Sequence, residues 1–342
     1  MAKTRVLVVG TGGIGTISSY SLEKSGTAEV TAVMRSNYDA AQQNGIDIDS
    51  VQFGQIKGWR PTAITNSIPD VSSGTVPPFD YILVTTKNIP DYPPVVSDII
   101  APAVTPGKSA IILSQNGINI EKPLISRFPT NPIISAVVYT GATETAPAKI
   151  YHDANDCQKI GAYASPQVPV EVAEEAAKKF VQIYNPDGKL DVIYSPDVAK
   201  ARWRKIAYNA SMNPVAAILR MDTRRIRQSQ HVAEDLILPI IHEIRAIAEA
   251  SGVTLEPDLV HAVIHQDPNS CEFKPSMCQD YEKGNLMEVE NIIGEPLREA
   301  EKLNVSTPTL RTIYGIMKGL QLRVKEAKGL WEPTWQPGNP FE

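Results

Sequence analysis

Residues 6–15, Val6-Leu7-Val8-Val9-Gly10-Thr11-Gly12-Gly13-Ile14-Gly15, decide how the first half of the chain is read. The apolar run fits a strand buried on both faces, as in a parallel sheet. Glycines follow at G-x-G-x-x-G spacing, and helical periodicity resumes through Ile14, Ile17, Tyr20, Ser21 and Leu22. In isolation that spacing is weak, and a structural loop that binds nothing is the bland alternative. Between a strand and a helix it acquires a mechanism. Gly10 permits the tight turn, Gly12 leaves room for backbone to approach a pyrophosphate, and Gly15 lets the helix pack closely on the strand. Thr11, Gly13 and Ile14 complete a turn that opens onto a helix N-terminus, whose oriented N–H groups attract an anion.

The next strand, Val30 to Met34, predicts which dinucleotide is held. NAD-selective folds place Asp or Glu at its end to accept from the ribose 2′-hydroxyl. This strand runs out as Val33-Met34-Arg35-Ser36-Asn37, with no carboxylate until Asp39. Arg35 offers a planar cationic fork to a 2′-phosphate instead. Coulomb attraction of about 4 kcal/mol near a protein surface, even much reduced by solvation, favours NADPH; a solvated surface arginine is the alternative. Lys87 and Asn116-Gly117 follow further strands, at the edge where such sheets bind ligands.

Strands also fit Tyr81 to Thr85, Ala110 to Leu113 and Ile133 to Val138, alternating with helices. The Gly- and Pro-rich stretch from Asp47 to Pro78 reads as irregular edge strands and loops. Lys149 to Ala164 and Leu190 to Tyr194 suit antiparallel strands closing the domain. After Pro196 the spacing is helical, with helices expected at 197–219, 228–251, 256–265, 277–303 and 309–327, and a kink or adjustment at Pro239. The expected fold is therefore an α/β Rossmann-type domain with a mostly parallel sheet, 1–196, followed by an all-α domain, 197–328. An extended or disordered tail, 329–342, completes the chain.

Composition narrows the class. A net charge of -5 argues against a general nucleic-acid binder. No apolar stretch is long enough to span a membrane, and the N-terminal apolar run is too short for a signal peptide. Three cysteines, Cys157, Cys271 and Cys278, stand in no metal-ligand spacing and suit a reducing compartment. The expectation is a cytoplasmic protein with no metal and no membrane or nucleic-acid partner.

Reduction of a carbonyl needs a proton donor as well as a hydride. The five histidines have no partner carboxylate at a telling spacing and read as surface or packed residues. A stronger candidate is Arg202-Trp203-Arg204-Lys205-Ile206-Ala207-Tyr208-Asn209-Ala210-Ser211-Met212-Asn213-Pro214. Lys205, Asn209 and Asn213 recur every fourth residue and share a helical stripe. Lysine donates a proton and stabilises negative charge on oxygen; a solvated face is the competing reading. Lys274-Pro275-Ser276 reads as a helix start where a hydroxyl and nearby N–H groups suit a carboxylate. Glu288 lies roughly 120° round an ideal helix from Ser276, so periodicity does not bring them together. A helix cap for Ser276 and a solvated face for Glu288 stay open.

These motifs, taken in order, resemble the ketopantoate reductase (2-dehydropantoate 2-reductase) family from about Arg5 to Lys325. They are the early Gly-rich turn with an arginine after strand two, Thr86-Lys87, Gln115-Asn116-Gly117, the Lys205-Asn209-Asn213-Pro214 helix and the late Ser276-Met277-Cys278-Gln279-Asp280…Glu288 segment. The resemblance implies that Lys205 is the general acid, with Glu288 in the same site. It implies that Asn209, Asn213 and Ser276 hold a 2-keto acid. Asn116 and Ala142 would lie near the nicotinamide end, and Arg35 and Lys87 near the adenosine phosphate. The implied reaction converts NADPH and 2-dehydropantoate to NADP and (R)-pantoate, towards pantothenate and coenzyme A. Where members often carry an Asn-Gly-Glu-Leu-like turn, this chain has Arg220-Met221-Asp222-Thr223-Arg224-Arg225-Ile226. The alternatives are an NADP-dependent dehydrogenase of another hydroxy acid or a polyol phosphate, and a non-catalytic NADP-binding sensor. The long helices 228–251 and 309–327 are core or the face of a homodimer.

Overall fold

A computed structural model describes residues 2–335 and 337–341. The chain divides into two compact units, Met1–Ala201 and Arg202–Glu342. The division falls beyond Pro196 because Val198 and Ala201, at the start of the long helix that follows, pack with Val137 of the first unit.

The first unit contains twelve strands among the described residues: β1 (Thr4–Val9), β2 (Ala28–Val33), β3 (Ile46–Ser50), β4 (Gly54–Trp59), β5 (Ala63–Thr65), β6 (Tyr81–Val84), β7 (Ala110–Leu113), β8 (Ile133–Val138), β9 (Gly141–Ala146), β10 (Lys149–Ala154), β11 (Cys157–Tyr163) and β12 (Asp191–Tyr194). Its helices are α1 (Gly13–Lys24), α2 (Tyr38–Asn44), α3 (Val96–Ile100), α4 (Lys122–Arg127) and α5 (Val170–Tyr184). The main sheet has the order β12-β11-β8-β7-β6-β1-β2-β5. It is parallel throughout except where β11 pairs antiparallel with β8. β1 shows why the apolar run is continuous. Val6 and Val8 enter one core with Ile17 and Leu22 of α1 and Phe180 and Tyr184 of α5. Leu7 and Val9 enter the opposite core with Ile100 and Leu124.

Two expectations are corrected here, and the edge strands expected after Asp47 are found in two sheets. β12 pairs parallel, not antiparallel, with β11; α5 lies between the two strands in sequence and makes the crossover a parallel pair needs. β10 belongs to a second sheet, β4-β3-β10-β9, with β3 and β10 parallel. The stretch after Asp47 contributes β3 and β4 to that second sheet, whereas only β5 reaches the edge of the first.

A buried carboxylate fixes α1. Asp156 accepts from Tyr184 Oη at 2.6 Å, Gln158 Nε2 at 2.8 Å, Thr140 Oγ1 at 2.9 Å and Ser21 Oγ of α1 at 3.4 Å. Burial pushes the Tyr184 phenol well up, and the adjacent Asp156 charge adds to it, so the hydroxyl stays a donor. Charge-assisted bonds in a dry setting make this a rigid support for the glycine turn.

The second unit is helical: α6 (Val198–Leu219) from Arg202 onward, α7 (Thr223–Gln228), α8 (Gln230–Val232), α9 (Leu238–Ala250), α10 (Leu259–Ile264), α11 (Ser276–Glu282), α12 (Glu295–Leu303) and α13 (Pro308–Ala327). π-turns at Ala233–Ile237 and Glu290–Gly294 run into α9 and α12. Each stands just ahead of a proline, Pro239 or Pro296. The ring of a helical proline strikes the carbonyl four residues back, and a widened turn moves that carbonyl aside.

The helix expected over 277–303 is two helices. Gly284, at φ +66°, stops α11, and residues 285–288 are irregular. Asp222 starts α7, a helix not foreseen, by accepting the Arg225 N–H at 2.9 Å. Residues 331–335 and 337–341 form no helix or strand; the rest of the tail expectation, at Gln336 and Glu342, falls outside the described residues.

Candidate active site

In the first unit the turn after β1 is built almost wholly from backbone. Gly10 has φ +97°, and a Cβ there would stand 2.6 Å from Thr86 Cγ2. A methyl on Gly15 would overlap the Gly10 carbonyl, which is the close helix–strand approach the spacing requires. Gly13 has a different constraint: a methyl there would overlap the Ala142 carbonyl of β9. Gly12 is the contrast, since a Cβ there would meet nothing within 4 Å. The helix N-cap is Gly12, with no side-chain cap and no acid in the first turn, so its positive end carries no internal counter-charge.

Thr11 faces inward. It is 4% exposed, and its hydroxyl donates to the Val33 carbonyl at 3.1 Å. The buried Asn37 amide donates to the Thr11 carbonyl at 2.8 Å. Asn37 ties the turn to the end of β2. Sequence reading passed over it, although a lone amide just past Arg35 was the available signal. Thr85 Oγ1 donates to the Gly10 carbonyl, and Gln115 Nε2 to the Thr86 carbonyl at 2.7 Å. The segments after β1, β6 and β7 are thereby joined along one sheet edge. Arg35 and Lys87 are exposed there, Ile14, Asn116 and Ala142 half-buried.

In the second unit α6 carries the polar stripe. From Ile206 to Ala217 every residue is buried. Asn209 is 7% and Asn213 2% exposed, and Lys205 is half-buried at the start of this stretch. The solvated-face reading of the two asparagines is thus removed. Asn213 Oδ1 has no hydrogen-bond partner among the described residues. Such an acceptor costs about 1–3 kcal/mol unless a ligand or water satisfies it.

Glu288 is 4% exposed and precedes the second π-turn, where its carbonyl accepts from the Ile292 N–H at 3.2 Å. Ser276 is the exposed first residue of α11, after Pro275. Since the two lie on separate elements, their separation on one ideal helix has no meaning. Of the histidines, His152 is buried in the second sheet, 2.7 Å from Ser50 Oγ and stacked on Phe53, and His261 stacks on His265. Burial lowers the His152 pKa.

Residues 6–165 match the family model of ketopantoate reductase PanE/ApbA, and residues 197–321 match its C-terminal model. The chain belongs to the ketopantoate reductase family. An uncharacterized protein of Saccharomyces cerevisiae is 35% identical over 96% of each chain. A solved 2-dehydropantoate 2-reductase from Methylococcus capsulatus is 32% identical, with a TM-score of 0.77 over 94% of this chain and 97% of that one. A D-mandelate dehydrogenase, solved with NADH and anilino(oxo)acetate, has the same fold at 18% identity, with a TM-score of 0.79 over 94% of this chain and all of its own.

Membership makes the protein a nicotinamide-dependent oxidoreductase acting on CH–OH groups. The turn fits such a cofactor on its own geometry: open space over Gly12, an uncapped helix N-terminus, and cations at the sheet edge. No helix among the described residues is long and apolar enough to cross a membrane.

Proposed function

We propose that this protein reduces a small 2-keto acid with NADPH, and that its substrate is 2-dehydropantoate, giving (R)-pantoate for pantothenate and coenzyme A synthesis. The observation that carries the reading is α6, an almost wholly buried helix with a lysine and two asparagines on one stripe and one amide acceptor still unsatisfied. Burying such groups without use is costly, and a hydroxylated keto acid satisfies them.

The cofactor, when bound, supplies the hydride. Gly10, Thr11, Gly12, Gly13, Ile14 and Gly15 hold its pyrophosphate, Arg35 and Lys87 its adenosine phosphate, and Asn116 and Ala142 its nicotinamide end. The Lys205 ammonium polarises the keto oxygen and gives it a proton as the carbonyl carbon becomes tetrahedral. Glu288 orients that ammonium. Asn209 and Asn213 bind the substrate's hydroxyl and keto groups, and the Ser276 hydroxyl binds its carboxylate. Three free cysteines suit the reducing cytosol as its compartment.

A second reading has its own support. Asp222 and two arginines of α7, Arg224 and Arg225, occupy the stretch where members often carry an Asn-Gly-Glu-Leu-like turn. That change favours a different 2-keto acid with the same hydride chemistry. Steady-state kinetics with ketopantoate and close 2-keto acid analogues, using NADPH and NADH in parallel, test both readings. Ketopantoate with NADPH should give the highest kcat/KM. Preference for another 2-keto acid selects the second reading, and no turnover with any of them rejects both.

Self-association is proposed through α13, which buries Leu310, Ile313, Met317 and Val324 yet leaves Ile316 and Leu322 exposed. Light scattering should give twice the chain mass.

A further inference from the structure

The arginines of α7 do more than replace a turn. Arg227 is half-buried and gives its guanidinium to the segment that leads into Ser276. Nη1 donates to the Asp267 carbonyl at 2.8 Å, with the Ile264 carbonyl and Asn269 Oδ1 each at 3.4 Å. Nη2 donates to the Pro268 carbonyl at 3.0 Å, and Nε to the Thr223 carbonyl of its own helix at 3.1 Å. A rigid fork matched to several carbonyls is something lysine does not reproduce.

Tyr208, on α6 beside Asn209, donates to Asp267 Oδ2 at 2.6 Å. Burial and then the Asp267 charge hold its phenol protonated far above the ordinary value. At the other end of the segment the Thr223 N–H donates to the Phe273 carbonyl at 2.9 Å, and Arg224 pairs with Glu272 at 3.3 Å. Between these fastenings, residues 265–274 are mostly exposed and contribute little to a core. Hydrogen bonds, not apolar burial, therefore hold the segment.

We propose that Arg227 and Tyr208 are positioning residues: they fasten the 264–273 segment to α6 and α7, and so fix the Ser276 hydroxyl relative to Asn209 and Asn213. The proposal rests on Ser276 and the asparagines binding the keto acid. What the latch sets is the placement of the substrate's carboxylate. The proton donor and the cofactor turn are independent of it.

The test uses the full chain with Arg227→Met, and Tyr208→Phe as a milder variant that removes one hydroxyl. Hydrogen–deuterium exchange of 264–276 should quicken about tenfold in Arg227→Met, with the β1 region unchanged. KM for the 2-keto acid should rise about tenfold, with kcat and KM for NADPH within about twofold. Arg227→Lys should restore less than half of the lost affinity, and Tyr208→Phe should shift both readouts in the same sense by a smaller amount. Faster exchange with an unchanged keto-acid KM, or a loss confined to kcat, overturns the proposal. Unchanged exchange in both Arg227→Met and Tyr208→Phe overturns the latch itself, whatever the kinetics. A wild-type enzyme inert towards all 2-keto acids rejects the functional reading instead, and the exchange data then still report on the latch.

Discussion

The glycine turn of the first unit and helix α6 of the second are built from opposite materials. The turn is backbone: a positive φ at Gly10, a bare Cα at Gly12, and glycines at 13 and 15 where any methyl would strike a neighbouring carbonyl. Helix α6 is α-helical on both sides of an internal proline, Pro214, and its character comes from buried polar side chains. A backbone site depends on the fold and admits any ligand with the same phosphates. A side-chain site can change its substrate by substitution without altering a single dihedral. The first kind suits a generic cofactor, and the second can change by point substitution.

The largest effect expected from this contrast is on the side-chain side. Lys205→Ala should lower kcat by about 10²–10⁴-fold, with NADPH affinity and thermal stability nearly unchanged, as steady-state kinetics and melting curves would show. Unaltered turnover removes Lys205 from the chemistry. On the backbone side the same small methyl should separate two glycines. Gly15→Ala should cost about 3 kcal/mol of stability in denaturant titration, because the added carbon overlaps backbone. Gly12→Ala should leave stability intact and weaken only NADPH binding, by about tenfold in a fluorescence titration. Equal stability losses at the two positions would break the distinction.

Glu290 sharpens the side-chain half. Burial alone would raise its pKa, but Lys318 at 2.7 Å, Arg298 at 2.9 Å and Tyr314 at 2.8 Å together hold it below the ordinary 4.5. A carboxyl with a depressed folded pKa contributes stability above its unfolded value, and that contribution is lost as pH falls through the folded one. Glu290→Gln should cost about 2 kcal/mol at pH 7, discounted because its cations are partly exposed. The gap to wild type should narrow as pH falls below the ordinary 4.5 and close once it passes the lower folded value; a gap independent of pH would show that packing, not charge, is responsible. An effect as small as that at Gly12 concerns Arg35, a side chain in the backbone-built unit. Arg35→Ala should raise KM for NADPH about tenfold and leave NADH unaffected.

What the sequence disclosed follows the same division. β1, β7 and β8 are legible because each carries a run of mostly apolar residues buried on both faces, Val6–Val9 in β1. β3, β4 and β9 are not, since they alternate or are largely exposed, with glycines in β4 and β9; β10 was legible as a strand, but its parallel pairing with β3 crosses a sequence gap that no local pattern encodes. Gly284 was visible as a helix stop, but the apolar spacing through Met287 and Ile292 ran on and masked it. On α6 the four-residue spacing revealed the polar stripe, but only burial separated it from a wet face. Asn37 and Arg227 were hard to read for a common reason: each acts on backbone carbonyls, which leave no mark in the residue code, and only Asn37 offered a signal, its place just past Arg35.

The two π-turns have a consequence for how this unit tolerates change. Each inserts one residue into an otherwise α-helical path, which swivels everything downstream by about 100°. Removing a single residue from Glu290–Gly294 would return a carbonyl to the Pro296 ring and change the phase of buried Pro296, Leu297 and Ala300 relative to the residues ahead of the turn. Homologues that gain or lose a residue there must shift their apolar phase at the same point, so an alignment gap would record a rotation and not a shortened loop.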